Sequence, residues 1–172
     1  LPIAREVEDL RSLEFDHPVK VRWLPRGRFE RSLQAQEDDL DARDRRWYER
    51  NTLSMRSYGL VGADADLLAI DNAQTGDVLA YYTPGTDRLT MPGRPHRLTP
   101  AERVTVAHEL THALQDQNFD MKRLHRRGRD AGLMVDAVAE GDAERTADRY
   151  RYRLPRKEWN ASWGDAPTTG SE

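Results

Sequence analysis

The sequence predicts an α+β fold on three observations. Several segments carry apolar residues at helical spacing, "HPVKVRWL" alternates with a period of two, and "DVLAYY" and "DRLTM" flank the turn "TPGT" ahead of a well-signalled helix. With 172 residues, 37% of them hydrophobic, the chain suits one compact domain, expected over residues 1–157 and followed by a polar, flexible C-terminal tail at 158–172. The formal net charge of −3 is spread in interspersed signs, which argues against nucleic acid as a partner. There is no cysteine, so disulfides, zinc fingers, iron–sulfur sites and cysteine nucleophiles are excluded, and any metal must use His, Asp or Glu. No apolar run approaches the roughly 20 residues that span a bilayer.

Taken in order, residues 2–15 place Ile3, Val7, Leu10 and Leu13 on one side of a short amphipathic helix. Val19, Val21 and Trp23 then alternate with Lys20 and Arg22, as in a strand with one buried face. After Pro25 and Gly27, Phe29, Leu33, Leu40 and Trp47 mark one side of a long charged helix to about residue 50. A short helix is expected over 64–73, where Asp64 is a capping residue and Leu67, Leu68 and Ile70 are apolar. The hairpin around residues 83–86 follows.

Thr99-Pro100-Ala101-Glu102 is a helix start: Thr as N-cap, Pro at the first helical position and Glu to close a capping box. A helix from Pro100 to about Gln117 follows, with Val106, Leu110, Ala113 and Leu114 as its apolar stripe. Beyond a basic loop, residues 131–152 read as helical again, with Leu133, Met134, Ala137 and Val138 expected to be buried.

The chemistry lies in "HELTH". Residues four apart on a helix stand about 6 Å apart along its axis and point the same way, so His108 and His112 can converge on one metal ion. Glu109 lies about 100° round the helix from His108, away from that first shell but placed to act on a water molecule. A catalytic zinc takes three protein ligands and an open position. The pattern H-E-x-x-H-x-x-G-x-x-H needs glycine at position 115 and histidine at 118, where this chain has Gln115 and Asn118, which excludes the metzincin arrangement. His17, His96 and His125 remain, His125 in a basic loop with no frame to fix it. Glu140 is the better candidate, because a carboxylate on a largely apolar segment is costly unless it meets a cation. Glu144 shares its helical face one turn on, so Glu140 can reach the metal while Glu144 bonds His108. Gly141 would permit a close approach of the two helices.

"HELTHALQDQ" followed by "EGDA" resembles the gluzincin zinc metallopeptidases, and in particular small bacterial gluzincin-like proteins, over roughly residues 78–150. The resemblance implies a zincin-like fold: a small twisted, mostly antiparallel sheet packed on an active-site helix, with a second helix carrying the third ligand. It implies Zn2+ on His108, His112 and Glu140, Glu109 as general base, Glu144 supporting His108, and a peptide or protein substrate pairing with an edge strand within Val78–Met91. Tyr81 and Tyr82 are adjacent there, so only one faces the cleft. The oxyanion donor has no aligned residue; Tyr150, Tyr152, His125 and Arg149 are candidates by position, and the substrate-binding residues are unassigned. With no exopeptidase motif such as G-x-M-E-N, an endopeptidase is expected; the alternative is a zincin-like peptide- or partner-binding domain with suppressed hydrolysis. The chain starts at Leu1, from which a removed signal or anchor, and hence a secreted or cell-envelope protein, is expected. A monomer is the default.

Overall fold

The computed structural model describes residues 2–38, 42–67, 78–119, 121–125 and 129–163. They form an α+β structure in two compact units, Leu1–Trp23 with Leu79–Glu172 and Leu24–Val78. The elements in chain order are α1 (Pro2–Arg11), β1 (Lys20–Leu24), α2 (Arg26–Asp38), α3 (Ala42–Ser57), β2 (Tyr81–Thr83), β3 (Arg88–Pro92), α4 (Pro100–Phe119), α5 (Met121–His125), α6 (Arg129–Tyr152) and α7 (Arg156–Ala161).

In the first unit, α1 buries Ile3, Val7 and Leu10, the residues its spacing selects, and ends where Ser12 takes a left-handed φ of 54°. The three strands form a mixed sheet of order β1-β3-β2, with β2 and β3 antiparallel and Tyr82 opposite Leu89. The turn between them takes positive φ at Gly85 (77°) and Asp87 (49°). The expected alternation of β1 is only partly realised: Val19 and Trp23 pack against the core, but Val21 is 38% exposed. β1 is an edge of the sheet, so little covers it.

Helix α4 runs through the core. Val106, Leu110, Ala113 and Leu114 are buried as its stripe requires, and Val106, Leu110 and Leu114 share a core with residues of α1, β3 and α6 that include Val7, Leu89, Met91 and Ala147. Its principal partner is α6. The burial expected in the first half of α6 is overturned: Met134 and Val138 are each 71% exposed and Ala137 is exposed, while the side chain of Leu133 lies outside the described residues. The buried face comes later, at Ala143, Thr146, Ala147 and Tyr150. Gly141 does not mark a tight helix crossing either, because a Cβ there would meet nothing within 4 Å. Small residues at Ala143 and Ala147 occupy that buried face instead. Where a flexible tail was expected from 158, α7 continues to Ala161; Arg103 pairs with Glu158 at 2.6 Å and Ser162 is buried.

In the second unit, the expected long charged helix is described as α2 and α3, with Phe29 buried; the side chains of Leu40 and Trp47 lie outside the described residues. Just past the end of α3, Gly59 takes a φ of 67° that lets the Leu60 amide reach back to the Met55 carbonyl at 2.9 Å. The helix expected over 64–73 lies mostly outside the described residues, although the Leu67 amide donates to Thr52 Oγ1 at 3.2 Å.

Candidate metal centre

The cap at Thr99 fixes where α4 begins, and therefore which side chains point to the same side further along. Glu102 Oε2 accepts from the Thr99 amide at 2.7 Å and Thr99 Oγ1 accepts from the Glu102 amide at 3.2 Å, both bonds of the capping box. Two turns on, His108 and His112 bring their Nε2 atoms to 3.0 Å from each other. Helix α6 brings Glu140 across them: Oε2 lies 3.3 Å from His108 Nε2 and Oε1 lies 3.4 Å from His112 Nε2. Two ligands at about 2.0–2.1 Å from a tetrahedral zinc stand roughly 3.3 Å apart, so this spacing and this donor set fit such an ion. His108, His112 and Glu140 form a potential metal-holding group among the described residues.

The electrostatics follow from this crowding. Hydrogen bonding to His108 and His112 holds the Glu140 carboxyl far below the usual carboxylate range. Burial acts to lower the His112 pKa, but Glu140, with Glu109 and Gln115, together outweigh it and the net shift is upward. Glu109 is raised, chiefly by burial, even though the neighbouring histidines and the Tyr82 amide favour its charged form.

Behind the donors the two histidines are held differently. His108 Nδ1 lies 3.4 Å from Glu144 Oε2, as the spacing of Glu140 and Glu144 suggested. His112 Nδ1 meets Gln115 Oε1 at 3.1 Å, a partner the sequence reading missed. Gln115 is buried and its Nε2 donates to the Ala139 carbonyl at 3.0 Å and to Asp142 Oδ2 at 2.8 Å. Arg11 pairs with the same Asp142 oxygen at 2.9 Å.

Glu109 Oε2 accepts the Tyr82 amide at 2.8 Å, which joins the helix to the outer edge of β2. Of the two adjacent tyrosines, it is Tyr82 that lines the cleft, together with Pro84, Asp116, Met121 and Asp136 beside the His and Glu residues. The Tyr82 hydroxyl lies 3.1 Å from Asp116 Oδ2 and 3.2 Å from Asp87 Oδ1. Burial and these two carboxylates push its pKa far up, so it stays protonated. An apolar cavity of about 490 Å³ adjoins the cleft and shares Met121 and Ala139 with it. Phe119, Leu124, Met134 and Val138 also line it, which is where the apolar residues of early α6 point.

The remaining candidates are placed elsewhere. His17 pairs with Asp87 at 3.1 Å, and His96 with Glu102 at 3.0 Å. The side chain of His125 lies outside the described residues. Among the oxyanion candidates, Tyr150 is buried in the core, Arg149 donates to the Leu10 carbonyl at 3.0 Å and Tyr152 is 73% exposed. None of those three lines the cleft. No helix among the described residues is long and apolar enough to cross a membrane. Comparison of the chain with protein-family models, with curated proteins and with solved structures gives no match.

Proposed function

We propose that the chain is a zinc-dependent peptidase of gluzincin type, acting on internal peptide bonds. The observation that carries this reading is the convergence of His108, His112 and Glu140 at 3.0–3.4 Å with Glu109 beside them. The two imidazoles and the carboxylate would hold the ion. Zinc bound by such a set supplies Lewis acidity, activating water and polarising a carbonyl. Glu109 is the general base. Its Oε2 is occupied by the Tyr82 amide, so Oε1 takes the proton from the attacking water and returns it to the leaving amine. Burial raises the Glu109 pKa and so favours a carboxyl that both gains and gives up that proton. A substrate would lie in the cleft beside β2, with a bulky apolar side chain in the cavity bounded by Phe119 and Val138.

The test is hydrolysis of unfolded casein and of a quenched peptide library by the zinc-loaded protein, with Glu109→Gln as control. Cleavage by the wild type that falls about 10²–10⁴-fold in the variant is expected. A wild-type protein that holds one zinc and cleaves nothing would favour the peptide-binding alternative.

A further inference from the structure

We propose that Gln115 is a positioning residue: it fixes the tautomer of His112 and ties that ring to the segment of α6 that presents Glu140. The buried amide can face only one way. Its Nε2 sits against the Ala139 carbonyl and an Asp142 carboxylate oxygen, at 3.0 and 2.8 Å. Both are acceptors, so only the amide NH₂ fits there. Oε1 must then face His112 Nδ1, 3.1 Å away. A carbonyl oxygen only accepts, so Nδ1 carries a proton in either charge state: Nε2–H donates to Glu140 when the ring is charged, and Nε2 is the bare nitrogen, free for a metal, when it is neutral.

The consequences reach across three helices. Ala139 and Asp142 flank Glu140 on α6, and Arg11 of α1 holds the Asp142 oxygen that Gln115 uses. One side chain therefore fixes the ring of one donor and the backbone position of another. Residue 115, three places after His112, is on the same side of α4 and within reach of its ring.

This inference rests on the peptidase reading only for its effect on zinc. The orientation of His112 belongs to the protein without metal and is measurable there. Nitrogen-15 NMR of the metal-free wild type, above the titration of the ring and with the signals assigned through His112→Asn, should show His112 protonated at Nδ1 and bare at Nε2. Gln115→Leu should lose that bias, and its zinc affinity in a chelator competition should fall about 10–100-fold. Gln115→Glu, which can still accept from Nδ1 but cannot donate to Ala139, should keep the tautomer and still lose affinity. A wild-type His112 protonated at Nε2 overturns the proposal without any variant. So does Gln115→Leu with unchanged tautomer or unchanged affinity. Should the wild type bind no zinc, the peptidase reading fails, while the tautomer measurement still decides the orienting role of Gln115.

Discussion

His108 and His112 stand one turn apart on the same helix and offer the same atom to the same place, yet their outer sides differ. His108 leans on Glu144, a carboxylate 65% exposed to solvent at 3.4 Å. His112 leans on Gln115, a neutral amide 5% exposed whose other end is bonded twice to α6. A charged partner in water gives direction but little energy, because solvent screens it and its side chain must be ordered. A buried amide cannot leave without stranding its own donors, so it holds geometry firmly. The candidate centre has one stiffly held ring and one adjustable one.

The widest test of this contrast removes each ring in turn. His108→Ala and His112→Ala should both lose zinc by more than the roughly 100-fold upper limit for supporting residues, measured by metal analysis after gel filtration. If either variant retained wild-type stoichiometry, the two rings could not be treated as equivalent donors. A smaller effect separates their supports. Glu144→Ala should weaken zinc by about fivefold or less, in keeping with an exposed pair worth roughly 0–1 kcal/mol, and the difference from wild type should shrink as salt is raised in the same chelator competition. A salt-independent loss as large as that of Gln115→Leu would abolish the contrast.

The smallest expected effect lies at the start of the helix both rings share. Thr99→Ala should cost about 1 kcal/mol in denaturant unfolding and leave His108, His112 and Glu140 in place. The cap also carries a pH signature. Burial raises the Glu102 pKa, but bonds from Thr99 and His96 outweigh it and hold it below its ordinary 4.5. The Arg94 carbonyl and then Glu102 raise His96 above its ordinary 6.5. Glu102 therefore contributes fully above pH 4.5 and fades as pH falls through its depressed value. The His96 contribution is complete below pH 6.5 and fades as pH rises through its elevated value. Thermal unfolding should show the cap strongest between those limits, with the maximum flattened in Glu102→Gln.

Much of α4 was legible because its signals are local. The capping box, the apolar stripe and the four-residue spacing of the histidines each depend on residues within two turns. Glu140 and Glu144 were singled out by asking what chemistry the histidines still lacked, and α6 does bring both beside the two rings. Gln115 was read only as an absence of glycine, although its place three residues after His112 marks it as a possible ring partner. Its partners at Ala139 and Asp142 are more than twenty residues away, and nothing local announces them. Early α6 misled for a related reason. Met134 and Val138 have the composition of a core, but they border an open cavity, and apolar character does not distinguish a filled space from an empty one.

The bond between the Tyr82 amide and Glu109 affects how experiments on this molecule should be controlled. β2 is an edge strand, and an edge amide with no acceptor is a place where a second chain can add itself. The glutamate that would act as base also plugs that position. Truncating it to alanine, the usual way to silence such a site, would uncover the strand and confound lost chemistry with self-association. Glutamine keeps an acceptor for the amide, so Glu109→Gln should remain as dispersed as the wild type in light scattering while Glu109→Ala becomes stickier.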